Sequence, residues 1–216
     1  MEKLKFSECT LVLLDELFIL YEDKSLEILK TWLHAKAEID TVENQVLKRY
    51  QRSINIYWHD WNEFELIQHF IGPMFALVDF SNRAFGLFAQ RNFATVVNGI
   101  ELHGKPDGII ASGYRSPKQP YFCFQEYKRE QDPEGDPAGQ CLAAMLVAQE
   151  MNEHKHPIYG CYVVGANWYF MALCGKKYAI SPAYVATREH IFDIFRILKV
   201  LKEIIINLVG IRAVQC

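Results

Sequence analysis

The chain has 216 residues, half of them hydrophobic, and 23 Lys and Arg stand against 26 Asp and Glu for a formal charge of −3. That length can bury one sizeable core, and the apolar content excludes a disordered chain. The charge excludes a polybasic protein but not a nucleic-acid binder, for which a local basic rim suffices.

Six cysteines (Cys9, Cys123, Cys141, Cys161, Cys174 and Cys216) form no C-x-x-C pair and no short metal spacing. Several sit in apolar runs, so they read as buried free thiols of a reducing cytosol. The opening MEKLKFSEC has no signal-peptide pattern. The apolar run 11–14 is broken by Asp15 and Glu16, far short of the ~20 residues a membrane span needs. The expectation is a cytoplasmic protein with no membrane association.

In chain order, residues 7–53 read as helices. Ser7 can cap the first, with Phe6 before it as a staple. Ser25 can cap a second, in which Leu26, Leu29, Trp32 and Leu33 keep helical spacing. Asp40 or Thr41 can start a third, carrying Val42, Val46, Leu47 and Tyr50. No stretch has linker composition, and no internal repeat appears. The aromatic cluster Tyr57, Trp58 and Trp61 reads as core packing in preference to a base-stacking platform.

Asp60-Trp61-Asn62-Glu63 is a capping-box pattern opening a helix that runs to about Gly72, where Pro73 interrupts it. Phe64, Ile67, Phe70 and Ile71 form its apolar stripe. Glu63 falls between Ile67 and Phe70, so it leans toward the core, while Glu65 lies farther round. An acid aimed inward needs a partner or a metal.

Strands follow at 93–97, 100–112 and 120–128, the first two joined by the turn signal Asn98-Gly99. Period-two geometry puts Glu126 and Lys128 on one side and Tyr127 on the other. Folding the last hairpin about Ser116 sets Asp107 opposite Gln125, one step from Glu126. Two carboxylates and an ammonium then converge at one end of a strand pair.

Asp136 and Pro137 are a helix cap and first-turn proline. The helix they open runs to about Asn152 and is apolar all round, which predicts burial. The apolar strand 158–164 then lies parallel to 121–128, as a crossover unit requires. A return strand at 168–174, a turn at 175–177 and a last helix capped by Thr187 complete the chain. Ile191, Ile194, Phe195, Leu198, Leu201, Ile205 and Leu208 stripe that helix, which ends near Gly210. The predicted fold is one α/β domain over 1–216, a mixed sheet with helices on its faces. It divides into a helical extension (1–53), a core (60–175) and a C-terminal helix (187–209).

Converging carboxylates suit a hard divalent ion, Mg²⁺ or Mn²⁺, which prefers oxygen ligands and keeps several waters. Such an ion polarises a phosphodiester and acidifies a bound water. A lysine on the same face can orient that water or neutralise charge building on the phosphate. Other motifs carry less. His154 and His156 flank a polar turn without cysteines to complete a zinc site. Gly104 and Gly108 lack the Lys-Ser/Thr of a phosphate loop, and there is no G-x-S-x-G.

Pro106-Asp107 followed by Glu126-Tyr127-Lys128 resembles the PD-(D/E)XK nuclease superfamily, whose fold is restriction-endonuclease-like. Residues 60–175 carry the resemblance: acid-bearing helix, strands, crossover helix, strand. It implies that Asp107 and Glu126 bind metal and that Lys128 serves the nucleophilic water. An early helix acid completes such sites. Glu63, ten residues before Pro73, is similar to the glutamate preceding an Ile-x-Pro in the N-terminal nuclease domain of type I restriction enzyme R subunits, with Glu65 as the substitute. Gln140 resembles the glutamine of RecB-like nucleases, although Ala144 stands where those proteins carry a tyrosine. The stretches FIGP, KPDGIIASG, QEYKRE and PIYGCYVVG are similar to small Bacteroidetes proteins bearing the same signature.

The resemblance implies a Mg²⁺- or Mn²⁺-dependent hydrolase of DNA phosphodiesters, with RNA as a substrate and a homodimer left open. The alternative is a catalytically inactive nuclease-fold protein that binds nucleic acid or assembles with other proteins. Lys105, Arg115, Lys118, Arg129, Lys176 and Lys177 are candidates for a basic rim or scattered solubilising charge. Plainer readings stand beside the sharp ones: a solvated strand end for Glu126 and Lys128, the third position of a capping box for Glu63, and an ordinary first-turn residue for Gln140.

Overall fold

A computed structural model describes residues 2–130 and 135–210. The polar run 131–134 and Cys216 lie outside the described residues.

The chain is mixed α/β, with a large mixed sheet flanked by helices. It opens with strand β1 (Glu2–Lys5), a 3₁₀ turn (Phe6–Glu8), helix α1 (Leu11–Phe18), the short strand β2 (Tyr21–Glu22), helix α2 (Glu27–His34) and helix α3 (Thr41–Tyr57). The expected all-helical start is thus corrected. Glu-Lys-Leu-Lys alternates, and β1 pairs in parallel with β5 (Ile100–Gly104). The first helix is capped by Thr10, which accepts from the Leu13 amide, and not by Ser7. Ser25 turns to the Asp23 carboxylate, so α2 begins without a side-chain cap. Asp40 caps α3 in a reciprocal box with Glu43.

The next helix is one continuous rod in three parts: α4 (Glu63–Leu66), a π-helical turn (Ile67–Ile71) and α5 (Gly72–Val78). Pro73 does not end it. The Gly72 amide reaches back five residues to the Ile67 carbonyl, and the widened turn absorbs the missing proline donor. The extra residue shifts the helix phase, so Leu66, Phe70 and Ile71 are buried while Phe64, placed on the apolar stripe by its spacing, is 70% exposed.

Strands β3 (Phe85–Ala89), β4 (Phe93–Val97), β5, β6 (Gly108–Ser112) and β7 (Lys118–Lys128) follow. The expected single strand over 100–112 is two strands in two sheets. Pro106 has no amide to donate, and around it the chain leaves a small sheet ordered β1-β5-β4 for the large one. After helix α6 (Pro137–Met151) come β8 (Ile158–Val164), β9 (Asn167–Cys174), β10 (Lys177–Ile180), β11 (Tyr184–Val185) and helix α7 (His190–Val209). The large sheet runs β2-β10-β9-β8-β7-β6-β3, with β11 pairing to β9. As the crossover rule requires, β8 is parallel to β7, with Glu126 beside Tyr162. The last helix starts at His190 after Glu189, later than Thr187 suggests, and ends at the left-handed Gly210.

Helix α6 is buried on all sides because it packs between the sheets, against β7 and β8 on one side and β4 and β5 on the other. Its alanines let both sheets approach. Asp136 caps it by accepting from the Gly139 amide at 3.0 Å, and its second oxygen accepts from the Leu11 amide at 2.8 Å. One carboxylate thereby joins the starts of α1 and α6. The opposite face of the large sheet carries α2, α5 and α7 over Trp32, Phe70, Phe75, Trp168 and Phe195. No helix among the described residues is long and apolar enough to cross a membrane.

Candidate active site

Asp107 sits where the chain passes from the small sheet to the large one. Its neighbour Gly108 pairs with Gln125, so the register sets Asp107 opposite Glu126, one residue from the loop-symmetry expectation. The displacement comes from irregularities farther along, where Ala111 meets Tyr121 and Ser112 meets Lys118. Directly opposed residues share a face, so both carboxyls lie on the α6 side.

The Asp107 carboxylate is held in place. Its Oδ2 accepts from the Tyr127 backbone amide at 2.9 Å, between Glu126 and Lys128. The Gln90 side chain also bonds it, and the Gln90 amide donates to the Asp107 carbonyl at 3.3 Å. Burial raises the Asp107 pKa, and the Tyr127 amide and the Lys128 charge offset only part of that.

Glu126 is 8% exposed. Burial and then the Asp107 charge push its carboxyl up to about 7, although Lys128 pulls the other way. The Lys128 Nζ donates to Glu126 Oε1 at 2.8 Å and stands 3.9 Å from Glu63 Oε2. Burial works against its ammonium, but the Glu126, Glu63 and Asp107 carboxyls outweigh that and raise its pKa. The solvated strand end is thereby excluded: the pair is largely enclosed.

Glu63 comes to this point because the capping box starts two residues later than the sequence pattern suggests. Asn62 is the cap, and Glu65, not Glu63, returns its carboxylate to the Asn62 amide at 2.9 Å. Glu65 is committed to the helix end, and Glu63, first residue of α4, faces Lys128.

Gln140, in the first turn of α6, is buried and lines a cleft of about 440 Å³ with Glu126. Lys5, Asn92, His103 and Lys105 line it too. Ala144, one turn on, is buried and places no polar group there. The five predicted site residues therefore gather at one end of β7 and the neighbouring start of α6.

The predicted basic rim divides. Lys105 lines the cleft, and Arg129 follows Lys128 directly. Lys118 is at the other end of β7, ten residues and roughly 33 Å away, with Arg115 in the turn before it. Lys176 donates to the Phe18 carbonyl, and Lys177 pairs with Asp23. Sequence reading missed Lys5, whose alternating Glu-Lys-Leu-Lys setting is a strand signal. It also missed Gln90, a non-glycine residue in left-handed backbone at φ 48°, for which no sequence signal exists.

All the acidic ligands offered here are oxygens, as a hard divalent ion prefers. Among the described residues, no group of three or more His, Cys, Asp or Glu is arranged to hold a metal by itself. Asp107 and Glu126 form a two-carboxylate set of the kind a largely hydrated Mg²⁺ accepts. Neither a protein-family model nor a curated protein matches the chain.

Proposed function

We propose that this chain is a Mg²⁺- or Mn²⁺-dependent nuclease that hydrolyses DNA phosphodiesters, and that its large sheet with α6 is a restriction-endonuclease-like core. The observation that carries the reading is the seating of Asp107 on the Tyr127 amide, between Glu126 and Lys128. A loop carboxylate is locked against a strand that presents a second carboxylate and an ammonium on one face.

Asp107 and Glu126 would hold the ion, with Glu63 beside them; bound there, it would polarise a phosphodiester and acidify a water. Lys128 stays protonated under three carboxyls and can orient the attacking water or neutralise charge growing on the phosphate. Gln140 offers an amide on the cleft side of Glu126. Because the Glu126 carboxyl is pushed up to about 7, protons compete with metal there at neutral pH.

The test is cleavage of plasmid, linear and single-stranded DNA with Mg²⁺ or Mn²⁺, with Asp107→Ala and Lys128→Ala as controls. Loss of cutting in both variants is expected. Metal-dependent cutting that survives both refutes the assignment. The internally satisfied Lys128–Glu126 ion pair favours a second reading, a nuclease-fold protein without turnover that binds or assembles. Calorimetric titration with Mn²⁺ separates them, since the second reading requires no stoichiometric binding.

A further inference from the structure

The cleft beside Glu126 has a wall that the metal chemistry does not use. Strands β1 and β5 pair in parallel with Lys5 opposite His103, so these two side chains share one face of the small sheet. Lys105 stands one residue past the end of β5. All three line the cleft, with Asn92 among them. The chain runs on from Lys105 through Pro106 to Asp107. His103 and Lys105 are therefore four and two residues from the proposed metal ligand, at most roughly 14 and 7 Å along the chain. Lys5 and Lys105 are exposed, and among the described residues neither forms an ion pair. The nearby acids are engaged elsewhere. Glu101 pairs with Lys3 at 3.0 Å, Glu8 accepts from the Lys5 backbone amide at 3.0 Å, and Glu126 holds Lys128 at 2.8 Å.

We propose that Lys5, His103 and Lys105 form a phosphate track that holds one polynucleotide strand by its backbone on the small-sheet side of the cleaved bond. The inference rests on the nuclease reading for what the track serves, but not for its binding. An ammonium is a compact point charge that suits a phosphate, and an imidazole donates an N–H in either tautomer. Alternate residues of a strand recur on one face roughly 6.6 Å apart, close to the step between neighbouring phosphates of an extended strand. The donors stand in single file, which serves one backbone and not two. The rings that line the cleft, Phe6 and Phe93, are only 6% and 5% exposed, so they present no face on which a base could stack. The contacts are therefore of the kind that positions a strand without reading its sequence.

The experiment is fluorescence anisotropy of labelled oligo-dT with the full chain over a salt series, in a chelator that stops metal-dependent cutting. Lys5→Gln and Lys105→Gln should each weaken binding roughly three- to tenfold and lower the slope of log affinity against log salt by about 0.7. Lys105→Arg should keep both, and Lys118→Gln, at the far end of β7, should change neither. Oligo-dT built from neutral methylphosphonates should not bind, and dTMP, with a single phosphate, should bind at least roughly tenfold more weakly than the oligomer. A salt slope unchanged in both glutamine variants overturns the proposal, as does a methylphosphonate strand that binds like the native one, or polyglutamate that competes as well as oligo-dT. If the track binds DNA but no metal-dependent cutting occurs, the nuclease reading fails and the track stands. If DNA is cut and the glutamine variants bind it as the wild type does, the track fails alone.

Discussion

Glu126→Gln tests whether burial, and then the charge of Asp107, strains the carboxyl at the strand end. In the folded chain burial and the Asp107 charge move the Glu126 carboxyl from its ordinary 4.5 to about 7. The folded state then holds this proton more tightly than the unfolded state. The stability contributed by this proton is therefore greatest below pH 4.5 and is lost as the pH rises to about 7, opposite to the behaviour of an ordinary ion-paired carboxylate. The gap between 4.5 and about 7 corresponds to about 3 kcal/mol of lost stability above pH 7. Glutamine mimics the protonated acid at every pH. Glu126→Gln should therefore be more stable than the wild type by about 3 kcal/mol at pH 8, and the difference should close near pH 5. Urea denaturation across that range measures it, with equal slopes required of both proteins. Mg²⁺ should reverse the order: at a hundredfold excess over Kd it adds about 2.7 kcal/mol to the wild type, and much less to the variant that has lost a ligand. A variant less stable than wild type at pH 8, or a difference that ignores pH, refutes the account.

Three further outcomes follow from the same geometry. Glu63→Gln should reduce metal-dependent cleavage at least tenfold, whereas Glu65→Gln, which can still bond the Asn62 amide, should leave it within about threefold; steady-state rates on one DNA substrate decide which acid serves the site. Gly108→Ala should destabilise by about 1–3 kcal/mol in urea, because a β-carbon there meets the buried Gln125 side chain, whose oxygen accepts from the Tyr127 hydroxyl at 2.7 Å; a change under about 0.5 kcal/mol contradicts the tight pairing of β6 on β7. Asn152→Ala should lower stability by about 2–3 kcal/mol, since its buried amide accepts from the Tyr121 amide at 3.0 Å and donates to the Tyr121 carbonyl at 2.7 Å; Mn²⁺ affinity should be unchanged, and a shift in it would mean that the far end of β7 is coupled to the site.

The elements that sequence patterning located best are those whose signals are local. Asp136-Pro137 opens α6 because cap and first-turn proline act within one turn, and the parallel strand 158–164 follows from crossover geometry once that helix is known. The errors arose where distant parts of the chain decide the outcome. Glu2–Lys5 is a strand only because β5, nearly a hundred residues away, offers it an edge. The run 100–112 looks like one strand because nothing local says that Pro106 marks a passage between sheets. Pro73 looks like a helix end because a π turn, which absorbs it, leaves no compositional trace. That turn also changed which residues of the helix face outward, exposing Phe64.

The same division runs through the candidate site. Glu126 and Lys128 share a face by strand period alone, so their juxtaposition is legible in two residues. That Asp107 joins them depends on a register set by irregular pairing near Ala111 and on a hydrogen bond to the Tyr127 amide, both tertiary. Their burial depends on α6 and the small sheet closing over β7. Burial is also what separates this arrangement from a decorative surface pair. A strand end built for stability alone would not enclose two facing carboxyls with one ammonium, because both acids are then held above their ordinary pKa and the fold is weakened where it could have been apolar. Two enclosed carboxyls short of positive charge are what a cation ligand set requires before the cation arrives. The destabilisation expected at pH 8 and its reversal by Mg²⁺ are therefore two readings of one feature, and a protein that showed the first without the second would have kept the strain while losing the chemistry.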